Sequence, residues 1–510
     1  MTEVQLVPTL VGMTSVLPPF VNVFVIGAGF GGLGAAIKLQ ESGERDFLCV
    51  DRGSEVGGTW RDNTYPGAAC DVPSQLYSFS FALNPDWSHS FSRQPEIQDY
   101  LRRVAHEAGV LDRFRFGVTF DSAAWDAESE LWRIETSAGP TTARLMVAAA
   151  GALSDPKMPD IEGIDSFGGE IFHSSQWNHD YDLTGKRVTV IGTGASAIQI
   201  VPEVAKQAAR LDVYQRTAPW VMPRRDRAYR GWEKRLLRRI PLLQRAVRAG
   251  VYLMREATVP MFIALPGIGK VAARGANANI DRAISDPELR AKVTPHFALG
   301  CKRVLLSNDW YPALARPNVE LVTDRIRRVT PAGVVTADGT ERPVDVLVVA
   351  TGFMPTELPI SQHIKGTSGQ TLRDAWSEHG VQAYKGSTVA GFPNLFFLVG
   401  PNTGLGHSSM VYMIESQVAY LVDAWRAMRR HGLASVEVLP ERQRGWNAEL
   451  QRRMRRTVWN TGGCQSWYLD EHGRNVTLWP RTTFAFRRLT RRFELADYRS
   501  TATVDRGVTA

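Results

Sequence analysis

At 510 residues the chain exceeds one ordinary domain, and two or three are expected. With 44% apolar and 22% charged residues it has the balance of a globular protein with a sizeable core. It holds no apolar run of the roughly 18–20 residues that a membrane-spanning helix needs. The net charge of +8 suits anionic partners, but the arginines are scattered and follow no recognition motif, so no nucleic-acid partner is expected.

Residues 1–20 show no periodicity and are expected to form a flexible arm, in which Met13 offers a second start. They lack a basic segment leading into an apolar one, so no secretory signal is expected. Residues 21–26 read as a buried parallel strand, followed by glycines and a helix over residues 33–39, with the next strand at 47–50. Residues 188–191 repeat the pattern, with a helix through Ile198, Ile200 and Val201 and a partner strand at 211–214. Two such units about 165 residues apart predict two nucleotide-binding domains. The fold class is therefore α/β, with two Rossmann-like dinucleotide-binding domains and a helical insertion.

The first loop, Gly27-Ala28-Gly29-Phe30-Gly31-Gly32, is a GxGxxG between strand and helix. Gly27 permits the tight turn, Gly29 a close approach of backbone to pyrophosphate, and Gly32 close packing of helix on strand. The helix N-terminus offers free N–H groups and a positive dipole. Asp51 at the end of the next strand suits a ribose hydroxyl pair. The second loop, Gly192-Thr193-Gly194-Ala195-Ser196-Ala197, is the GxGxxA variant. Asp51 follows Gly27 by 24 residues, and the residue 24 after Gly192 is Arg216. An aspartate there would repel a 2′-phosphate, whereas an arginine pairs with it. The first site therefore suits FAD and the second NADPH, the alternative for Arg216 being a solvated strand-end charge.

Two dinucleotide sites in one chain point to hydride passing from nicotinamide to flavin. The cysteines Cys49, Cys70, Cys301 and Cys464 lie far apart with no CxxC pair. This disfavours a disulfide reductase, a disulfide framework and a zinc site, and fits a reducing cytoplasm. An oxygenating enzyme remains.

The stretch from Phe167 through Gly169 and His173 to Trp177 reads FxGxxxHxxxW. That pattern resembles the fingerprint of the Baeyer–Villiger monooxygenases. Residues 57–71, containing Gly57-Gly58-Thr59-Trp60 and Tyr65-Pro66-Gly67, resemble a second signature of that family, and Ala350-Thr351-Gly352-Phe353 a third. The resemblance spans roughly residues 20–490. Asn178 stands where the family usually carries proline or aspartate. Flavin monooxygenases that oxidise nitrogen or sulfur are the alternative, opposed by Trp177. A non-enzymatic flavoprotein is a second, opposed by the intact loops.

The resemblance implies a ketone substrate, O2, FAD and NADPH, with a flavin peroxide kept anionic by a fixed guanidinium. Within Gly300-Cys301-Lys302-Arg303 it assigns Arg303 as the catalytic cation and Lys302 to the 2′-phosphate, while Asp71 pairs with the arginine. Thr59, Trp60, Asp71, Tyr77, Val118 and Met410 match cofactor contacts. So do Thr193, Gly194, Ser196, Ala197, Gln199, Arg216, Thr217, Lys302 and Arg303. Without the resemblance, His173 is a satisfied, partly buried histidine, Trp60 core filling, Asp71 a turn residue and Arg303 a surface charge. With it, His173 takes a conformational or linker role.

The expected division runs as an arm (1–20), FAD domain (21–165 and 341–495), fingerprint linker (166–183), NADP domain (184–340) and tail (496–510). The NADP domain carries a helical insertion at 224–295, and the strand-like runs at 344–350 and 395–399 are assigned to the returning FAD domain. Residues 224–255 mix arginines with Trp232, Leu236, Leu237, Ile240, Leu242 and Leu243. They read first as a subdomain packing on the NADP domain and bounding the substrate pocket. A membrane-surface helix is the weaker reading, because Pro241 interrupts the stretch. Substrate identity and oligomeric state are not legible.

Overall fold

The computed structural model describes residues 16–263, 266–354 and 358–503. The first sheet is built on Phe20–Ile26, with Phe47–Asp51 parallel on one side and Phe114–Phe116 beyond it. On its other side lies Thr141–Ala148, parallel to it. The first half of that strand pairs antiparallel with Leu131–Thr136, and its second half parallel with Leu395–Phe397. Phe120–Asp126 and Ile364–Lys365 extend the edge. Phe47–Asp51 is buried throughout, as a parallel strand covered on both faces must be. The helices Phe30–Glu41 and Met410–His431 pack together over this sheet.

The second sheet is wholly parallel, in the order Val319–Val322, Arg210–Tyr214, Arg187–Ile191, Val346–Val349 and Glu170–His173. Two expectations are corrected here. The run at 344–350 belongs to this sheet, paired Val346↔Val188 and Val346↔Glu170, so the second domain extends past residue 340 and, of the two runs, only residues 395–397 return to the first sheet. A four-residue apolar strand carries no mark of the sheet it joins, and its neighbours in space decide. The fingerprint segment is likewise no free linker, because Glu170–His173 is an edge strand of the second sheet.

The ends are also more ordered than expected. Residues 1–15, including Met13, lie outside the described residues. Leu17 is buried, and the carbonyls of Pro18 and Pro19 accept bonds from Thr141 and Thr142, so the arm is anchored at its base. Of the tail, Tyr498–Ala502 pairs antiparallel with Leu433–Val438, and residues 504–510 lie outside the described residues.

Cys301 and Cys464 form a disulfide across 163 residues, which corrects the reading that the cysteines are too scattered to pair. Chain separation does not measure distance in space. The Gly300 loop and the Gly462 turn meet, with Ala298 N–H donating to the Gly462 carbonyl. Cys49 and Cys70 are free and buried.

The insertion is helical as expected, in Gly231–Arg239, Pro241–Glu256, Val259–Ile263, Pro266–Ala283 and Pro287–Val293. It does not rest on the NADP domain alone. Ile280 packs in the second domain's core, but Pro241–Glu256 lies on the first domain. Arg248 of that helix donates to the carbonyls of Gln75 (2.8 Å), Leu76 (3.1 Å) and Ser78 (3.0 Å) and to the Ser78 hydroxyl (3.1 Å). Tyr252 stacks on Tyr412 at 5.0 Å. A buried guanidinium with four acceptors leaves several of them unsatisfied when it is removed. Arg248→Ala is therefore expected to cost about 2–4 kcal/mol of stability, read as a lowered denaturant midpoint. A midpoint unchanged within error would contradict this anchoring.

Candidate active site

At the first loop Gly27 adopts φ +108°, and a Cβ there would meet the Ala149 carbonyl oxygen at 2.5 Å, so only glycine fits. The helix that follows has Gly29 at its N-cap, with no side-chain cap and no acidic residue in its first turn. Its N–H groups are left for an anion. Gly58 lies against Gly29, which brings the 57–71 signature to the loop. Asp51 accepts from Ala28 N–H (2.7 Å), Gly53 N–H (2.7 Å) and Arg61 (2.7 Å). The oxygen facing Ala28 retains a lone pair for a ribose hydroxyl. Val118 is buried beside it, its N–H donating to the Asp51 carbonyl. Trp60 donates to the Tyr77 hydroxyl at 3.0 Å and meets that ring edge-on, and Phe30 meets the other side of Tyr77. Trp60 is half-buried in this aromatic wall, and Thr59 before it is exposed.

At the second loop the helix Ala197–Val204 begins at Ser196, again with no side-chain cap and no acid in its first turn. Gly194 has open space where a side chain would stand, and Thr193 donates to the Thr217 carbonyl at 3.3 Å. Arg216 is exposed at the strand end. Burial, and then the charge of Arg216, lower the pKa of Lys302. The two cations therefore stand near enough for the charge of one to disfavour the other. Gln199 is occupied differently from expectation. Its side chain exchanges bonds with Ala69 (3.1 Å each way) and accepts from the Tyr65 hydroxyl (3.3 Å), clamping the signature loop of the first domain to the second.

Between the loops Asp71 and Arg303 form a bidentate pair, Nε to Oδ2 at 2.8 Å and Nη2 to Oδ1 at 2.7 Å. Both side chains are half-buried, Asp71 with 24% and Arg303 with 32% of its surface accessible, so the pair faces open space rather than packed core. Burial alone would raise the Asp71 carboxyl; the charge and hydrogen bonds of Arg303, helped by the charge of Arg255, outweigh it and hold the carboxyl below the ordinary range. The charge of Asp71 in turn raises Arg303, which stays cationic. Nη1 of Arg303 reaches the Leu405 carbonyl at 3.3 Å, in the loop that leads to Met410 at the start of helix Met410–His431.

Three neighbours of the pair were not read from the sequence. Arg255, on the inner face of Pro241–Glu256, senses both Asp71 and Arg303, and its buried Nε has no hydrogen-bond partner. Tyr468 is buried close enough for the charge of Arg303 to act on it, and the Cys301–Cys464 bridge ties its segment to the Arg303 loop. Arg255 stood in a run of arginines with nothing to single it out, and for Tyr468 and the bridge there was no local signal.

The fingerprint residues are framework. A Cβ on Gly169 would meet the Asp345 carbonyl at 2.4 Å and the Phe167 ring at 2.8 Å. Trp177 packs edge-on against Phe172 at 4.8 Å. His173 is buried; its Nδ1 accepts from Ser175 N–H at 3.2 Å, so Nε2 carries the proton and donates to the Gly352 carbonyl at 3.0 Å. It thereby fastens the fingerprint to the third signature.

Two uncapped helix N-termini, each beneath a glycine loop, with a carboxylate at one and paired cations at the other, define a flavoprotein of the class that carries FAD and a nicotinamide nucleotide side by side. The family model described as flavin-binding monooxygenase-like matches residues 21–253. A Baeyer–Villiger monooxygenase of Streptomyces coelicolor is 51% identical over 94% of this chain and 92% of its own. One of Pseudomonas aeruginosa is 50% identical over the same shares. A solved structure of OTEMO complexed with FAD and NADP superposes with a TM-score of 0.85 at 29% identity, covering 94% of this chain and 99% of the other. The chain belongs to the Baeyer–Villiger monooxygenase family, whose cofactors are FAD and NADPH.

Burial holds the His173 imidazole below its ordinary pKa of about 6.5. The folded state then binds fewer protons than the unfolded one. The contribution of His173 is full above that value and is lost as pH falls through it. The stability advantage of the wild type over His173→Gln, read from thermal midpoints, is expected to shrink between about pH 8 and about pH 5. An advantage that grows on acidification would contradict the assignment.

Proposed function

We propose that the chain inserts one atom of O2 into a ketone, giving an ester or lactone, with Arg303 as its catalytic cation. The observation that carries this reading is the bidentate, partly accessible Asp71–Arg303 pair, which joins the signature loop at 57–71 to the loop after the helical insertion. Bound FAD, reduced by NADPH, supplies the activation of O2.

The residues of the chain bind, orient and hold charge. Backbone N–H groups at residues 29–32 and the carboxylate of Asp51 suit the FAD pyrophosphate and ribose. Arg216, Lys302 and the N-terminus at Ser196 suit the NADP phosphates, and Trp60, Tyr77, Val118 and Met410 border the flavin side. Arg303 spends three of its five N–H groups on Asp71 and Leu405, leaving one on each terminal nitrogen for an anion. Asp71 fixes the plane of that fork. Two guanidiniums and one carboxylate leave a surplus of one positive charge, which matches a singly charged oxyanion. A guanidinium cannot give up its proton here, so it stabilises that charge without becoming an acid.

Arg303→Ala is expected to keep bound flavin and NADPH-dependent bleaching of its colour while ester formation falls about a hundredfold or more. Equal ester yield from wild type and variant would remove Arg303 from this role. Replacing Arg216 and Lys302 by alanine is expected to lower the preference for NADPH over NADH by about tenfold or more, since charge-assisted bonds to the 2′-phosphate are lost. An unchanged ratio of kcat/KM for the two nucleotides would place the phosphate elsewhere. Oxidation of nitrogen or sulfur is the second reading, and Trp177, packed into the fingerprint, favours the first.

A further inference from the structure

We propose that the outer face of the helices Gly231–Arg239 and Pro241–Glu256 docks on an anionic lipid bilayer. A surface helix ordinarily buries its apolar stripe and shows water its polar one. Pro241–Glu256 buries one apolar flank and turns a second one outward. Its inner face packs Val251 and Tyr252 on the first domain's core and carries Gln244, Arg248, Arg255 and Glu256 beside them, with Arg248 and Glu256 in specific bonds. Its outer face carries Leu242, Ala246, Ala249, Leu253 and Met254, with Leu242 72% and Leu253 64% exposed.

The preceding helix continues the pattern. Trp232, Leu236 and Ile240 recur every fourth residue and are all exposed. Pro241, which reads in the sequence as an interruption, is the first residue of the second helix, where its missing N–H costs nothing. Two amphipathic segments therefore meet at one corner, each turning apolar side chains to solvent.

Charge selects the occupant. Arg235, Arg239 and Arg245 are exposed among these apolar residues, and Arg238 pairs with Asp86. The two carboxylates of the segment are engaged, Glu233 by Arg227 and Glu256 by His407 and Thr483. An aliphatic and tryptophan surface edged by free arginines fits acyl chains beneath anionic headgroups. A second copy of the chain fits less well, since a two-fold interface would set arginine rows against each other. Spanning is opposed by the inner face, whose buried Arg248 and Glu256 anchors hold the helix on the protein. Among the described residues no single helix is long and apolar enough to cross a membrane.

The test is sedimentation of the FAD-loaded enzyme with phosphatidylglycerol vesicles and, separately, with phosphatidylcholine vesicles. Binding to the first is expected, weakening with salt, and little to the second. Leu242→Asp with Leu253→Asp is expected to weaken binding about tenfold or more. This variant should keep its flavin and its turnover of a small soluble ketone, since both side chains are exposed. Arg235→Gln with Arg239→Gln and Arg245→Gln is expected to narrow the difference between the two lipids. Wild-type enzyme left in the supernatant with both vesicles would overturn the proposal. So would undiminished binding of the aspartate variant, or a dimer that this variant disperses, which would make a second copy the occupant. Vesicle binding is read without turnover, so a failure of ketone oxidation would strike the activity and leave this result standing.

Discussion

The site turns on one ion pair whose members stand 232 residues apart. Asp71 belongs to the signature loop of the first domain, and Arg303 to the loop that follows the helical insertion of the second. Neither geometry survives alone. The carboxylate of Asp71 is held ionised in a low-dielectric surrounding only because the guanidinium is there, and burying either charge without its partner would cost several kcal/mol. The pair therefore works as a register between the two domains, and the Gln199–Ala69 clamp, the Gly67 approach to Gln199 and the Cys301–Cys464 bridge hold the same register from its flanks.

Seen this way, the fingerprint need not touch the reaction to serve it. Glu170–His173 closes the edge of the second sheet, Gly169 lets that strand lie on the Asp345 carbonyl, and His173 ties it to Gly352. These residues set how the second domain meets the segment returning to the first. His173 itself is held by Ser175 N–H and holds the Gly352 carbonyl, two bonds of the framework.

What was legible in the sequence was local. Both glycine loops, their helices and the acid-versus-arginine contrast at Asp51 and Arg216 sit within short windows, where turn geometry and charge dictate residue type. Legible too, through resemblance, were Asp71, Arg303 and their pairing, to which the fold adds the bidentate geometry. Illegible was whatever depends on which distant segment becomes a neighbour. The strand Val346–Val349 is apolar throughout and so fits either sheet; Cys301 and Cys464 are joined by loop packing. Arg255 looks like every other arginine of its run until the helix turns it inward. Helix Pro241–Glu256 shows a further limit of pattern reading, since its apolar residues lie on both sides and the sequence does not say which of them the fold covers.

The central claim is that the fixed cation of Arg303 directs oxygen to the ketone rather than letting it escape as hydrogen peroxide. It is tested most directly by incubating the wild-type enzyme with NADPH, isotopically labelled O2 and a panel of ketones, and comparing labelled ester with NADPH consumed. The account predicts one labelled oxygen per ester and a yield close to the NADPH spent for at least one ketone. NADPH converted wholly to hydrogen peroxide with every ketone, or ester oxygen drawn from water, would contradict it.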